Sequence, residues 1–298
     1  MLPFRHAFKA MACMAEIQVY ASNPGHAKTA CKAAQRELER IEAKYSRYRE
    51  GSVTTAINRA AGSDPVAIDE ETSALLDYAD ICWQQSGGMF DITSGVLRRV
   101  WDFKRGVPPT DEAIAEVLQL IGWERVRRDA AGVALARGVE IDFGGIGKEY
   151  AADKAAAALS SAGIAHALVN LGGDIRAIGP HPGGKPWRIG IMHPREAGRT
   201  IAQVSLTDEG LATSGDYERF FIHDGRRYSH VLNPQTGWPV EGPQSVSVIA
   251  PLCIVAGSCA TIAMLKEGAA EDYLREQGLA YLLVQRDGTT AGTLAAPA

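Results

Sequence analysis

A chain of 298 residues, 46% hydrophobic and 22% charged, holds ample material for one large core and reads as a soluble globular protein. Its net charge of −4, with no local Lys/Arg block, excludes the electrostatic footprint of a nucleic-acid or anionic-membrane binder. The five cysteines (Cys13, Cys31, Cys82, Cys253, Cys259) lack C-x-x-C spacing and fit reduced thiols rather than a disulfide or zinc framework.

Met1–His6 lacks the apolar run of a secretory signal, which predicts a cytoplasmic location, or a periplasmic one if a leader has been trimmed. Ala15–Tyr20 alternates as a strand does, and Asn23-Pro24 opens a helical pattern reaching about Lys44. A second helix is predicted over Glu70–Gln85, stopped by Ser86-Gly87-Gly88, with short strands at Arg125–Arg127 and Val139–Asp142. An Ala-rich helix follows from about Ile146 to Ala162, then strands at Ala167–Asn170, Asp174–Ile178, Trp187–Ile191 and Ile201–Leu206. Tyr217–His223 and Arg226–Leu232 flank Asp224-Gly225, a signal for a type I′ hairpin turn. After a strand at Ser245–Ala250, Pro251 suits the first position of an apolar helix reaching Lys266. That helix is too short and interrupted to span a bilayer. A helix at Ala269–Gln277 and a strand at Leu279–Val284 complete the series. Antiparallel-type strands clustered in the second half, without a clean linker, argue one α+β domain over residues 1–298.

Five segments could carry chemistry. In Ile141–Tyr150 a strand ends in Asp142, glycines including Gly144 and Gly145 turn the chain, and a helix begins. Exposed N–H groups there favour an anion such as phosphate, and Lys148 sits in the first turn, where the helix dipole disfavours a cation. Asp142 could accept from a ribose hydroxyl or a base N–H; the plain alternative is a Gly-rich corner with an exposed lysine. Asn170–Asp174 reads as a tight glycine turn, and Gly87–Gly95 as a donor-rich loop carrying Met89, Phe90 and Asp91. Between Ala212 and Pro239, His230 precedes a turn of little apolar content, which admits an acid–base role beside a structural one. Gly257 and Thr261 share one helical face, where close packing is the usual reason.

In this order, together with Ser46-Arg47-Tyr48 and Asn58, these segments resemble the ApbE family of FAD:protein FMN transferases, from Met11 to about Gly268. The resemblance implies a two-lobed α+β fold with mixed or antiparallel sheets, flanking helices and a flavin pocket between the lobes. It places Met11, Tyr48, Met89, Phe90, Asp91, Asp142, Lys148 and Val231 near FAD, and His230 and Asp142 at the chemistry. It also implies Mg2+ near Gly145 and Thr261, and an acceptor protein whose Thr or Ser hydroxyl takes FMN as AMP leaves. The chain departs from the family pattern at Met11-Ala12-Cys13, at Glu149 and at Gly257. Glu149 stands where a glycine is usual, a change expected to matter little. Gly257 stands where a metal-binding Asp is usual, which predicts a weakened metal site or one borrowing Asp142 or Asp208. A flavin carrier without chemistry and an FAD pyrophosphatase are the competing readings.

Overall fold

Apolar–polar alternation near the N-terminus produces a hairpin of β1 (Leu2–Ala10) and β2 (Cys13–Ala21), paired antiparallel to Ala10↔Cys13. The computed structural model describes residues 2–294. Asn23 caps α1 (Pro24–Tyr45) by accepting from the Gly25 and His26 N–H groups. Next come α2 (Val53–Arg59), α3 (Glu70–Ser86), α4 (Asp111–Leu118) and the small hairpin β3 (Arg127–Asp129) and β4 (Gly132–Ala134). After α5 (Gly147–Ser161) the chain forms β5 (Ala167–Leu171), β6 (Asp174–Ile178), β7 (Trp187–Met192), β8 (Thr200–Leu206) and β9 (Gly210–Gly215). It closes with β10 (Phe220–His223), β11 (Arg226–Ser229), β12 (Ser245–Ala250), α6 (Cys253–Leu265), α7 (Ala270–Gln277), β13 (Ala280–Val284) and β14 (Thr290–Ala291).

The main sheet has eight strands in the order β1-β2-β5-β6-β9-β12-β13-β14, and every pairing is antiparallel. Both faces are covered, so its inner strands are apolar on both sides. Ala167, Val169 and Leu171 join Val246, Val248 and Leu283 in the core beneath α1, α5 and α6. Leu168, Ala177, Leu282 and Val284 face the opposite way, against Trp187, Ile191 and Leu206 of the β7–β8 ribbon. The alanines of α5 serve close packing: Ala151, Ala152, Ala155 and Ala156 are buried. The α+β prediction is met.

Several details differ from the sequence reading. Val139–Asp142 is not a strand; the Asn58 amide brackets Ile141, donating to its carbonyl (2.9 Å) and accepting from its N–H (2.7 Å), while the Asp142 N–H donates to Ile92 O (2.8 Å). A side chain thus does the work of a partner strand. Pro251 does not open α6; the helix starts at Cys253, and Asp153 of α5 caps it by accepting from the Cys253 and Ile254 N–H groups, both at 2.9 Å. The β1, α2, α4, β4, β9 and β14 elements lie outside the elements predicted, and in place of a strand at Arg125–Arg127 a short helical turn, Trp123–Arg125, precedes β3.

Candidate active site

A cavity of about 490 Å³ opens where the β1–β2 turn, the segment after α3, the 142–149 corner, the β5–β6 turn, the end of β9, the residues after β11 and the middle of α6 converge. Met11, Met89, Phe90, Asp91, Asp142, Gly145, Lys148, His230, Val231, Gly257 and Thr261 all line it. Tyr48 does not: its side chain is 76% exposed, while its neighbour Arg47 turns inward. The reason is electrostatic. The Arg47 guanidinium donates to Gly95 O (2.9 Å) and pairs with Glu140 and Asp142, so the turn is oriented by its charge rather than its ring.

The corner is anchored from below by Phe143 and Ile146, 2% and 0% exposed, each worth about 1.5–3 kcal/mol of burial. Above them Asp142 is engaged at both oxygens: Oδ1 accepts from Gly144 N (2.9 Å), and Oδ2 faces Arg47 (3.3 Å) and Arg98 (3.7 Å). A Cβ at Gly95 would sit 2.6 Å from Arg47 Nη1 and 2.7 Å from Asp142 Cβ, so only glycine fits. Asp91 is likewise committed, accepting from Thr93 N (2.7 Å), Thr93 Oγ1 (2.6 Å) and Trp123 N (3.0 Å). Burial still pushes its carboxyl above the usual range. Asp91 and Asp142 shape the wall.

At the β1–β2 turn Met11 and Ala12 both hold positive φ, 51° and 60°, and Met11 N donates to Glu42 Oε2 (3.0 Å). Such turns usually take Asn-Gly, so this strained backbone is held at the cavity edge at a cost of order 1 kcal/mol per residue.

Lys148 finds its partner across the α5 N-terminus. Its Nζ lies 2.5 Å from Oδ2 of buried Asp174, just past the Gly172-Gly173 turn. Against burial, which favours the neutral amine, Asp174 and Glu149 hold Lys148 above the usual lysine range. His230 stands opposite, its backbone N–H on Arg219 O (2.9 Å) and its Nδ1 buried without a partner. Burial, then the charges of Arg98 and Arg219, depress its pKa to about 4, so the ring is neutral at neutral pH.

Glu149 is the residue the sequence reading undervalued. It lines the cavity at 7% exposure, and its Oε2 is buried with no partner. Burial first, then Asp174, push its carboxyl above the usual range, against Lys148. A Cβ at Gly257 would lie 2.5 Å from Glu149 Cγ and 2.7 Å from its Oε1. Thr261 therefore does have a carboxylate nearby, carried by α5 rather than α6. The two carboxylates proposed as substitutes are otherwise occupied, Asp142 as above and Asp208 exposed, on Arg176 (3.1 Å), outside the cavity. Arg98 and Arg219 also line the cavity and were missed; only the Arg98-Arg99 pair beyond the Gly87–Gly95 loop hinted at them.

Residues 11–283 match the model of the ApbE family. The chain belongs to the ApbE family. It is 33% identical to the FAD:protein FMN transferase of Treponema pallidum over 292 residues, spanning 88% of this chain and 81% of that protein. The ApbE protein of Thermotoga maritima superposes with a TM-score of 0.89 at 33% identity, covering 98% of this chain and 97% of that one. The flavin transferase ApbE of Vibrio cholerae gives 0.86 at 28% identity, over 99% and 97%. The ApbE segments recognised in the sequence meet at the cavity, except for Ser46-Arg47-Tyr48 and Asn58, which do not line it.

Proposed function

We infer that this chain is an FAD:protein FMN transferase, joining the FMN half of FAD to a Thr or Ser hydroxyl of an acceptor protein with release of AMP. The observation that supports the reading, beside family membership, is the cavity wall in which Lys148, Arg98 and Arg219 stand with a neutral His230. Three cations suit a pyrophosphate dianion; the acceptor oxygen bonds to the FMN phosphorus as the bond to the AMP phosphate breaks. His230, neutral and with Nδ1 unclaimed by the protein, is the group available to take the hydroxyl proton. Burial keeps its basicity low first, and the Arg98 and Arg219 charges second; bound pyrophosphate would offset the charges.

The wall also fits a hard divalent cation such as Mg2+. Thr261 and Gly145 offer oxygen donors, and Glu149 of the same wall has an unpartnered carboxylate oxygen. When bound, the ion would neutralise charge on the pyrophosphate oxygens. The test is incubation with FAD, Mg2+ and a small acceptor domain, followed by mass spectrometry and AMP assay. Covalent FMN on the acceptor with equivalent AMP is the expected result. AMP with free FMN would mean hydrolysis, and intact FAD would mean a carrier; either would overturn the reading.

A further inference from the structure

Helices α5 and α6 approach so closely that positions 149 and 257 share the volume of one side chain. With Glu149 present, any Cβ at 257 would stand 2.5–2.9 Å from its Cγ, Oε1 and Cδ. Only one of the two helices can deliver a carboxylate here. The one delivered is not satisfied within the protein: Glu149 Oε2 has no hydrogen-bond partner, and the neighbouring cation, Lys148, is held by Asp174 at 2.5 Å. A buried, unpaired carboxylate oxygen is costly and is kept where something else completes it. Thr261, one helical turn beyond Gly257 on the same face, lines the same cavity.

We propose that Glu149 is the carboxylate ligand of a divalent cation in this cavity, delivered from α5 through the gap that Gly257 leaves in α6, with Thr261 as a second donor. This rests on the transferase reading for the place of the pyrophosphate. Among the described residues no three His, Cys, Asp or Glu side chains form a ready-made cation cluster. That suits an ion of the Mg2+ type, which takes one or two protein carboxylates and completes its shell with substrate phosphate and water. Glu149 and Gly257 are then one exchange rather than two unrelated departures, and the site is relocated rather than lost.

The test uses Mn2+ as probe, followed by electron paramagnetic resonance as the free-ion signal disappears, with FAD present and no acceptor. FAD binding without metal is read separately from flavin fluorescence. Glu149→Gln should weaken Mn2+ binding at least about 10-fold, change metal-free FAD binding far less than that, and leave the thermal midpoint no lower. Gly257→Asp alone should not tighten Mn2+, because the new side chain meets Glu149. The double exchange, Glu149→Gly with Gly257→Asp, should restore most of the affinity, and it decides the matter should Glu149→Gln fail to fold. Wild-type Mn2+ affinity in Glu149→Gln, tighter binding in Gly257→Asp alone, or no recovery in the double variant would each overturn the assignment. If the wild type bound no FAD, the transferase reading would fail instead, and the same Mn2+ titration without nucleotide would still compare Glu149→Gln with the parent.

Discussion

Two carboxylates reach the cavity from either side of one Gly-rich corner, and the protein treats them in opposite ways. Asp142, before the glycines, is saturated by the Gly144 N–H, Arg47 and Arg98. Glu149, beyond them in the first turn of α5, keeps one oxygen buried with no partner. Asp142 is the more conspicuous in sequence, as the end of an extended segment before a turn. Partnership separates their roles: a polar group whose bonds are all made internally holds architecture, whereas one left open waits for a ligand. By that criterion His230, with an unclaimed Nδ1, belongs with Glu149, and Asp91 belongs with Asp142.

The contrast can be broken by substitution. His230→Gln should lower the transfer rate by about 10²–10⁴-fold while FAD affinity changes little, as removal of an acid–base group does; a loss confined to FAD binding would move His230 to the architectural class. The same variant should alter the pH dependence of stability. An unfolded histidine takes its proton near pH 6.5, but His230, buried and facing Arg98, Arg219 and Lys148, waits until about 4. Between those values the unfolded chain binds more protons, so stability present above pH 6.5 falls as pH drops toward 4. Urea midpoints of the wild type should therefore fall more steeply over that window than those of His230→Gln, and equal slopes would refute the buried neutral ring.

Smaller effects follow on the packed side. Gly257→Ala should cost about 1–3 kcal/mol by overpacking, and much less in a Glu149→Gly background, a coupling that denaturation of the double-mutant cycle would measure. Asp142→Ala should cost about 1–3 kcal/mol in urea denaturation, through the Gly144 N–H and Arg98 guanidinium it leaves without a partner and the contact Arg47 loses. Equal stability would return Asp142 to the ligand-binding class. Tyr48→Ala, exposed and outside the cavity, should change stability by no more than about 0.5 kcal/mol and FAD binding by no more than about twofold in a fluorescence titration.

Local signals were legible where local physics decides. Asp224 and Gly225 take φ of 49° and 75°, as a type I′ turn requires, and Gly87 ends α3 at φ 68°. The Ala-rich α5 and strands β5 and β6 fall within a few residues of their predicted spans. What escaped depends on partners distant in the chain. Ile141 looks like strand but is held by the Asn58 amide, and α6 is capped by Asp153 rather than opened by Pro251. Glu149 and Gly257 were both visible as departures from the family pattern. Their contact was not, because it exists only once α5 and α6 pack together.

The most direct test of this account is an anomalous difference map from a crystal of the wild-type protein soaked with Mn2+ and FAD. A single manganese peak is expected within coordination distance of Glu149 Oε2 and Thr261 Oγ1, against the FAD pyrophosphate. A manganese peak seated on Asp142 or Asp208, or FAD ordered in the cavity with Glu149 still unpartnered, would contradict it.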